Sequence, residues 1–291
     1  MGNMILNYNI TKNIIINEFL TKNLSLSARL KNKLIKNKYV LLNGIFVDTR
    51  ETAYTGDVLT IDLSYPEDNS NILPTKMDLN IVYEDDYVLA INKPSGMAVH
   101  PSILHFSDSL ANGVKYYFDK INLHKKIRAV NRIDLNTSGL VLFAKNEYVQ
   151  ECLIKQMNTS DFQKTYLAVV EGNFNETCGT VNAPIARKNN SIIEREINET
   201  GQIAITHYEV LKSFDNYSLV KCMLETGRTH QIRVHMAHIG HPLLGDTLYG
   251  SNQTLINRQA LHSYKMDFIH PISKNILVLE APVADDIKQL L

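Results

Sequence analysis

The sequence predicts an α+β protein, in which a small α/β module precedes a larger domain built on a mixed or antiparallel sheet. After the first quarter of the chain, strand-like runs follow one another across short turns, and few helical patterns separate them. Basic residues mark off the module, because residues 22–50 hold seven bases and one acid. Residues 66–291 hold 22 bases and 25 acids, so the zero net charge of the 291-residue chain conceals an uneven distribution.

Residues 1–65 are predicted to form the basic module. Leucines at every fourth position indicate a short helix, and an Asn-Gly pair between two apolar runs indicates a hairpin. The predicted elements are a helix at 26–34 capped by Ser25 or Ser27, strands at 39–42 and 45–47, and a strand at 58–61. Two prolines among the polar residues of 64–76 indicate a linker, which we place at 66–77.

Residues 78–291 are predicted to form the larger domain. Two apolar runs on either side of an acidic turn predict a hairpin at its start. The predicted elements are strands at 80–83, 88–91, 140–144, 164–170, 205–212, 217–224 and 276–280, and helices near 108–118, 147–157 and 229–239. The sequence contains neither the G-x-G-x-x-G motif nor the P-loop motif, so nucleotide-cofactor chemistry has no support.

Cysteine spacing and the length of apolar runs argue against several classes of protein. The cysteines Cys152, Cys178 and Cys222 are far apart and form no C-x-x-C pair, so we expect neither a disulfide framework nor a zinc knuckle. The longest apolar runs are much shorter than the ~18 residues of a membrane span, and no secretory signal is visible. We therefore expect a cytoplasmic protein without a membrane segment, acting as a monomer.

The first candidate for chemistry is the loop 131–139. Arg132 and Asp134 flank one apolar residue, and Thr137 begins a group of turn-forming residues that leads into an apolar strand. A carboxylate held by such a loop could act as a nucleophile or a general base. The alternative, which spacing alone favours, is a surface loop with an incidental ion pair.

The second candidate lies in residues 225–235. Thr229 is a plausible N-cap for a helix that continues to Ile239, with Gly240 just beyond its end. Arg233 on this helix could hold a carboxylate through two parallel hydrogen bonds and keep it ionised. The alternative is a polar helix face.

Histidines in the same region raise the possibility of a metal-dependent hydrolase. They are His230, His235, His238 and His241. No H-E-x-x-H motif is present, so we expect no metal, and the histidines are expected to support backbone or phosphate contacts.

The third candidate is Tyr166, which begins a predicted strand within Lys164-Thr165-Tyr166. A tyrosine on a strand can stack on a nucleic-acid base. The alternative is a core or sheet-face aromatic, and spacing does not decide between the two.

Taken together and in this order, these segments resemble the RluA-type pseudouridine synthases. The matching motifs are Val82-Tyr83-Glu84-Asp85-Asp86 with Asn92-Lys93-Pro94-Ser95-Gly96, Arg132-Ile133-Asp134 with Thr137-Ser138-Gly139, Lys164-Thr165-Tyr166, and TGRTHQIRVH with GHPLLGDTLYG in residues 226–250. The resemblance covers residues 78–285. The basic segment 25–62 is similar, more weakly, to the S-four-like RNA-binding module that often precedes this domain.

The resemblance implies the isomerisation of a uridine in structured RNA, with large-subunit ribosomal RNA favoured over transfer RNA, and without a cofactor. It implies that Asp134 is the reacting carboxylate, that Arg233 pairs with it and that Tyr166 stacks on the target uracil. The implied RNA contacts are Arg132, which would fill the gap left by the flipped nucleotide, Thr137, Arg228 and His230, and in the module Lys31, Lys33 and Lys36. The alternative is an RNA-binding factor that has lost activity. Asn131 stands where many members of the family have histidine, which removes a possible contact.

Overall fold

The computed structural model describes residues 4–251 and 255–291. Within this part of the chain, the elements of the basic module are β1 Ile5–Asn9, β2 Ile14–Ile15, α1 Ile16–Glu18 followed by a π-helical turn Phe19–Asn23, α2 Ala28–Lys36, β3 Val40–Leu42, β4 Ile45–Phe46, β5 Thr52–Ala53 and β6 Val58–Asp62. Four of the strands form an antiparallel sheet in the order β1-β6-β3-β4, and the helical segments pack against it.

The predicted helix of the module is confirmed as α2, and Ser27 caps it. The Ser27 hydroxyl accepts a hydrogen bond of 3.1 Å from the backbone N–H of Leu30. Leu30 and Leu34 are fully buried, as the four-residue spacing predicts, and Leu26 is buried just before the helix begins.

The larger domain is built on a mixed sheet, which confirms the predicted fold class. Its elements are β7 Ile81–Glu84, β8 Val88–Lys93, α3 Leu110–Lys120, β9 Arg128–Ala129, β10 Ser138–Ala144, α4 Glu147–Gln156, β11 Phe162–Glu171, β12 Cys178–Asn182, β13 Ile185–Arg187, β14 Arg195–Ile197, β15 Ile205–Ser213, β16 Tyr217–Leu224, α5 Gln231–His238, β17 Leu261–Ile269, β18 Ile276–Glu280 and α6 Asp285–Lys288. Each predicted strand and helix of the domain corresponds to one of these.

The sheet places two distant segments next to each other. Its order is β12-β15-β16-β11-β17-β10-β8-β7, and among the described strands only β10 and β17 pair in parallel. That pairing joins Ser138 to His262 and Gly139 to Ser263. Gly139 has a φ of +109°, and a Cβ there would lie 2.2 Å from the carbonyl oxygen of Ser263, so only glycine fits. The close approach brings the loop 131–139 against the centre of the sheet.

The module packs tightly on the larger domain. Tyr148 of α4 belongs to the module's own hydrophobic core. Glu67, in the predicted linker, lies between the two units, where Arg128 donates two hydrogen bonds of 2.7 Å to its carboxylate. Ser27 donates to Glu151 of α4. The stretch 66–77 is therefore packed along the larger domain rather than extended between two separate bodies.

Several strands are absent from the sequence-based prediction. They are the peripheral strands β1, β12, β13 and β14 and the long strand β17. No helix in the ranges 4–251 and 255–291 is long and apolar enough to cross a membrane.

Candidate active site

The loop between β9 and β10 is fixed to the sheet by hydrogen bonds of its own polar residues. The Asn131 side chain is buried, accepts a 2.8 Å hydrogen bond from the backbone N–H of Leu142 and donates a 3.2 Å bond to the carbonyl of Leu140. The backbone N–H of Thr137 donates to the carbonyl of Asp134 at 3.1 Å and closes the turn. The asparagine that replaces the family's histidine thus fastens the loop to β10.

Helix α5 begins one residue later than the sequence predicts. His230, not Thr229, is the N-cap residue, and it has a φ of +59°, in the left-handed region. The side-chain oxygen of Gln231 folds back and accepts hydrogen bonds from the Thr226 hydroxyl at 2.8 Å and from the Arg228 backbone N–H at 2.9 Å. This turn brings His230 next to Asp134, whereas Nε of Arg228 donates a 2.9 Å hydrogen bond to the carbonyl of Ile203; Arg233 follows one helical turn later.

Arg233 is shared between two carboxylates. Its Nε and Nη2 donate to the buried Asp246 at 2.7 and 2.9 Å, and its Nη1 donates to Asp134 at 3.1 Å. Burial alone would lower the pKa of Arg233, but its bonds to Asp246 and the charges of both carboxylates raise the pKa above its ordinary value. The guanidinium therefore stays charged, and Asp246 fixes its orientation towards Asp134.

His230 forms a second contact with Asp134, at the same carboxylate oxygen that Arg233 contacts. Its Nε2 lies 3.7 Å from the Asp134 carboxylate, and its Nδ1 lies 2.8 Å from the Tyr249 hydroxyl. The backbone N–H of Arg195 donates to the same hydroxyl at 2.9 Å, so Tyr249 connects His230 to β14. Burial lowers the pKa of His230; the Asp134 charge opposes this shift, and the Arg233 charge acts in the same direction as burial.

Tyr166 faces the carboxylate from β11. Its side chain is buried and lines the same small cavity as Asp134. Burial raises the pKa of the phenol to about 12, and the negative charge of Asp134 acts in the same direction. Tyr166 therefore presents an uncharged ring to the cavity.

The predicted residues of the larger domain converge on one place. The small cavity is lined by Arg132, Ile133, Asp134, Thr137, Tyr166, Leu224, Arg228, His230, Gln231, Ile232, Arg233 and Leu261. It continues into a cleft of about 720 Å³ whose lining includes His100, Lys164 and Gly227. Arg132 and Arg228 are exposed at this cleft, whereas Thr137 is buried and its hydroxyl accepts a weak 3.4 Å bond from Gln259.

The three module lysines that are predicted to contact RNA lie on α2, outside the lining of both cavities. Lys36 is exposed, and Lys31 donates to Asn17 at 2.6 Å. Lys33 is partly buried and pairs with Glu147 at 2.7 Å and Glu67 at 3.3 Å, so it joins the module to the larger domain.

Two charged residues that contact the site, Asp246 and Arg258, are not predicted from the sequence. Asp246 lies within the quoted motif GHPLLGDTLYG, which is the signal that could have identified it. Arg258 donates to the carbonyl of Asn136 at 3.0 Å and to the Ser138 hydroxyl at 3.2 Å, and it forms a two-bond pair with Asp286. No motif in the sequence marks Arg258.

The histidines considered as metal ligands have other partners. Both nitrogens of the buried His235 form hydrogen bonds, to Thr206 and to the carbonyl of Ala183. His241 stacks on Phe174 at 3.8 Å between ring centroids. Among the residues that the structure describes, no three His, Cys, Asp or Glu side chains are grouped so that they could hold a metal ion.

Comparison with known proteins places these features in one family. The family model for RNA pseudouridylate synthases matches residues 87–238. An uncharacterised RNA pseudouridine synthase of Bacillus subtilis, YhcT, is 42% identical over 237 residues, which cover 81% of this chain and 78% of the relative. The ribosomal large subunit pseudouridine synthase D of Xylella fastidiosa is 36% identical over 271 residues, which cover 88% of this chain and 81% of the relative.

The solved structures show the same fold. The human protein RNA pseudouridylate synthase domain containing 1 matches with a TM-score of 0.59 at 25% identity, over 70% of this chain and 83% of its own. The human protein RNA pseudouridylate synthase domain containing 4 matches with a TM-score of 0.60 at 21% identity, over 72% of this chain and 90% of its own. The S-four-like nature of the module remains a prediction.

Proposed function

This chain belongs to the RNA pseudouridylate synthase family, and we propose that it acts on a uridine of large-subunit ribosomal RNA, with Asp134 as the reacting carboxylate. The reaction breaks the C–N glycosidic bond, turns the uracil over while it remains bound, and forms a C–C bond at ring carbon 5. It involves no net change in oxidation state and no group donor. The choice of RNA is supported by relatives named as ribosomal large subunit pseudouridine synthases, which match at 34–36% identity.

One observation carries the proposal: Asp134 and Arg233 form an ion pair in a small cavity that Tyr166 also lines. The guanidinium holds the carboxylate in position, and a carboxylate in this position can attack the sugar or the ring or can remove a sugar proton. A flat, uncharged ring in the same cavity suits stacking on a uracil. Because all three side chains are present and in contact with one cavity, an active enzyme is favoured over a binding factor that has lost activity.

The remaining polar residues of the cleft have roles in holding the RNA. Arg132 is exposed at the mouth of the cleft, where it can occupy the gap left by a nucleotide that has flipped out of its stack. Arg228 and His230 flank the cavity on the α5 side and can contact the backbone of the flipped nucleotide. Thr137 shapes the loop that carries Asp134. Lys31 and Lys36 on α2 supply phosphate contacts outside the cleft. The proposed enzyme acts as a monomer in the cytoplasm.

The test of the reaction is Asp134→Asn, which removes the charge but keeps the shape of the side chain. We expect pseudouridine formation in RNA to fall to background, while the melting temperature and RNA affinity remain close to wild type. Asp285→Asn is a matched control, because Asp285 is an exposed carboxylate on α6. Substantial turnover by the Asp134 variant would refute its role.

The test of the substrate is a map of pseudouridines in total RNA from a deletion strain and its parent. We expect the loss of one or more sites in large-subunit ribosomal RNA. If sites disappear only from transfer RNA, the proposed substrate is wrong while the enzyme class stands.

A further inference from the structure

Lys164 lies on the wall of the active-site cleft, on the same face of β11 as Tyr166. The side chains of residues 162, 164 and 166 are buried, whereas Gln163 between them is exposed, as expected when alternate residues of a strand face the same side. Lys164 and Tyr166 both line the cleft. Two residues along a strand correspond to about 6.6 Å, so the two side chains stand next to each other.

The Lys164 ammonium has no partner among the described residues. The side chain is only 5% exposed, yet no hydrogen bond, ion pair or ring contact to its Nζ is found in the ranges 4–251 and 255–291. Burial lowers its pKa, and no charged neighbour contributes to the shift. An ammonium without a protein partner at the wall of a cleft is available to an anion that enters the cleft.

The other buried lysines show how unusual this is. Lys93 donates to three backbone carbonyls, and Lys125 donates to two. Lys115 pairs with an aspartate one helical turn away, and Lys145 pairs with Glu84. Within the described residues the fold satisfies each of these four ammonium groups, so the lack of a partner at Lys164 points to a ligand that binds from the cleft.

Gly227 leaves the ammonium open to the cleft. A Cβ at position 227 would lie 3.3 Å from Nζ of Lys164, and among the described residues it would meet no other neighbour within 4 Å apart from those adjacent in the chain. The backbone of Gly227 does not adopt the left-handed conformation that favours glycine. A larger residue would cover the ammonium.

The charges around the cleft indicate an anion. Its lining contains the bases Arg132, Lys164 and Arg228 but only one carboxylate, Asp134. The cleft is thus locally positive in a chain whose formal net charge is zero. In an RNA strand, the anionic group that recurs next to every base is the backbone phosphate.

We propose that Lys164 binds a backbone phosphate next to the nucleotide whose base stacks on Tyr166. This inference rests on the proposed function for the position of the base but not for the binding of an anion. A phosphate in this position would fix where the strand lies relative to Asp134, and so help to select the nucleotide that enters the cavity. Lys164 is in this sense a substrate-binding residue and takes no part in bond making.

The test is Lys164→Met, measured on the full chain with a fluorescent oligouridylate of about twelve nucleotides as probe. We expect affinity to fall about tenfold at low salt, and the slope of log K against log salt to decrease by about 0.7, the value for one phosphate on a single strand. Because methionine fills the site without an unpaired charge, the melting temperature should stay the same or rise. Lys120→Met, at the exposed end of α3, is the matched control for the loss of one charge.

A second variant keeps the charge and removes access to it. Gly227→Val should cover the ammonium and give the same reduction of the salt slope in a folded protein. Wild-type affinity and slope in both variants would overturn the proposal. A fall in the melting temperature of Lys164→Met with unchanged RNA binding would also overturn it, by showing that the lysine is structural.

Single neutral linkages identify the phosphate. In an RNA segment that contains the mapped uridine, individual phosphates are replaced by methylphosphonates. A neutral linkage next to the target uridine should weaken binding to the wild type but not to Lys164→Met, because the variant has already lost this contact. If the neutral linkage weakens binding to both proteins equally, the assignment of this phosphate to Lys164 is overturned. If no pseudouridine forms but Lys164→Met still loses affinity for oligouridylate, the proposed function fails and the phosphate site stands.

Discussion

Replacing Asp246 by asparagine tests whether Arg233 depends on a second carboxylate for its orientation. The Asp246 side chain is 1% exposed, and it accepts two hydrogen bonds, of 2.7 and 2.9 Å, from one edge of the guanidinium. Asparagine has the same shape, but only one of its terminal atoms accepts a hydrogen bond, and the other is an NH₂ group. One charge-assisted bond, worth about 1.5–3 kcal/mol, is thus replaced by a contact between two donors.

The expected loss follows from what remains. Arg233 keeps its 3.1 Å bond to Asp134, which is 25% exposed, so the guanidinium can rotate towards that carboxylate and towards solvent. We expect kcat to fall about 10–100-fold, which corresponds to about 1.4–2.7 kcal/mol, because Asp134 loses its fixed direction. KM should change less than about threefold, since the cleft that binds the RNA is not altered.

The assay is single-turnover pseudouridine formation in the target RNA, with urea unfolding measured in parallel. Asp286→Asn is the matched control, because Asp286 also accepts two bonds from an arginine, Arg258, at 2.6 and 2.7 Å, but its side chain is 44% exposed. Water can replace a lost bond there, so the effect on kcat should be smaller. A kcat for Asp246→Asn within twofold of wild type, with the fold intact, would refute this account of Arg233.

Four other substitutions give independent tests. Burial lowers the pKa of His262 to about 4, so between pH 6.5 and pH 4 the unfolded chain binds a proton at this residue and the folded protein does not. About 3 kcal/mol of stability that is present above pH 6.5 should therefore be lost as the pH falls towards 4. Urea unfolding of His262→Gln should show a flatter dependence on pH. Asn131→Ala should lower the free energy of unfolding, measured by calorimetry, by about 1–3 kcal/mol. In steady-state kinetics, its kcat should change more than its KM. Glu67→Gln should lower the melting temperature, because a buried charge on Arg128 loses its partner, and an unchanged value would show that the interface does not depend on this pair. Lys36→Met should reduce the salt slope of RNA binding by about 0.7–0.9 without a change in melting temperature.

The sequence predicts those elements whose pattern is local and strong. The strands over 140–144 and 217–224 are confirmed, because a continuous apolar run and a strict alternation are both visible within eight residues. By contrast, β12 and β1 contain glycine or asparagine, which have low strand propensity, and both lie at the edge of a sheet. Their formation depends on a neighbouring strand that the local sequence does not reveal.

The site shows the same division between local and distant information. The resemblance predicts that Arg233 pairs with Asp134, 99 residues away, and the structure places them in contact. Asp246 was not assigned a role, because a carboxylate after glycine in a loop is typical of a turn. Nothing in the spacing of Lys164 indicates that its side chain is largely buried and its ammonium lacks a protein partner among the described residues, since this depends on how β11 packs against the 226–230 turn.

The charge of the folded surface differs from the charge counted along the sequence. Residues 22–50 carry seven bases and one acid, which favours an attraction for RNA. In the fold, however, Lys33 pairs with Glu147 and Glu67. Part of the positive charge of the module is thus neutralised by the larger domain and serves to hold the two units together.

This pairing changes how the module's role in RNA binding should be tested. Deleting residues 1–65 would remove the phosphate contacts but would also expose Tyr148 and leave Glu147 without Lys33. A loss of RNA affinity in that truncation would therefore not separate binding from folding. Lys36 is exposed and forms no hydrogen bond or ion pair with the residues of the larger domain that the structure describes, so a change in the salt slope of its methionine variant reports on RNA binding.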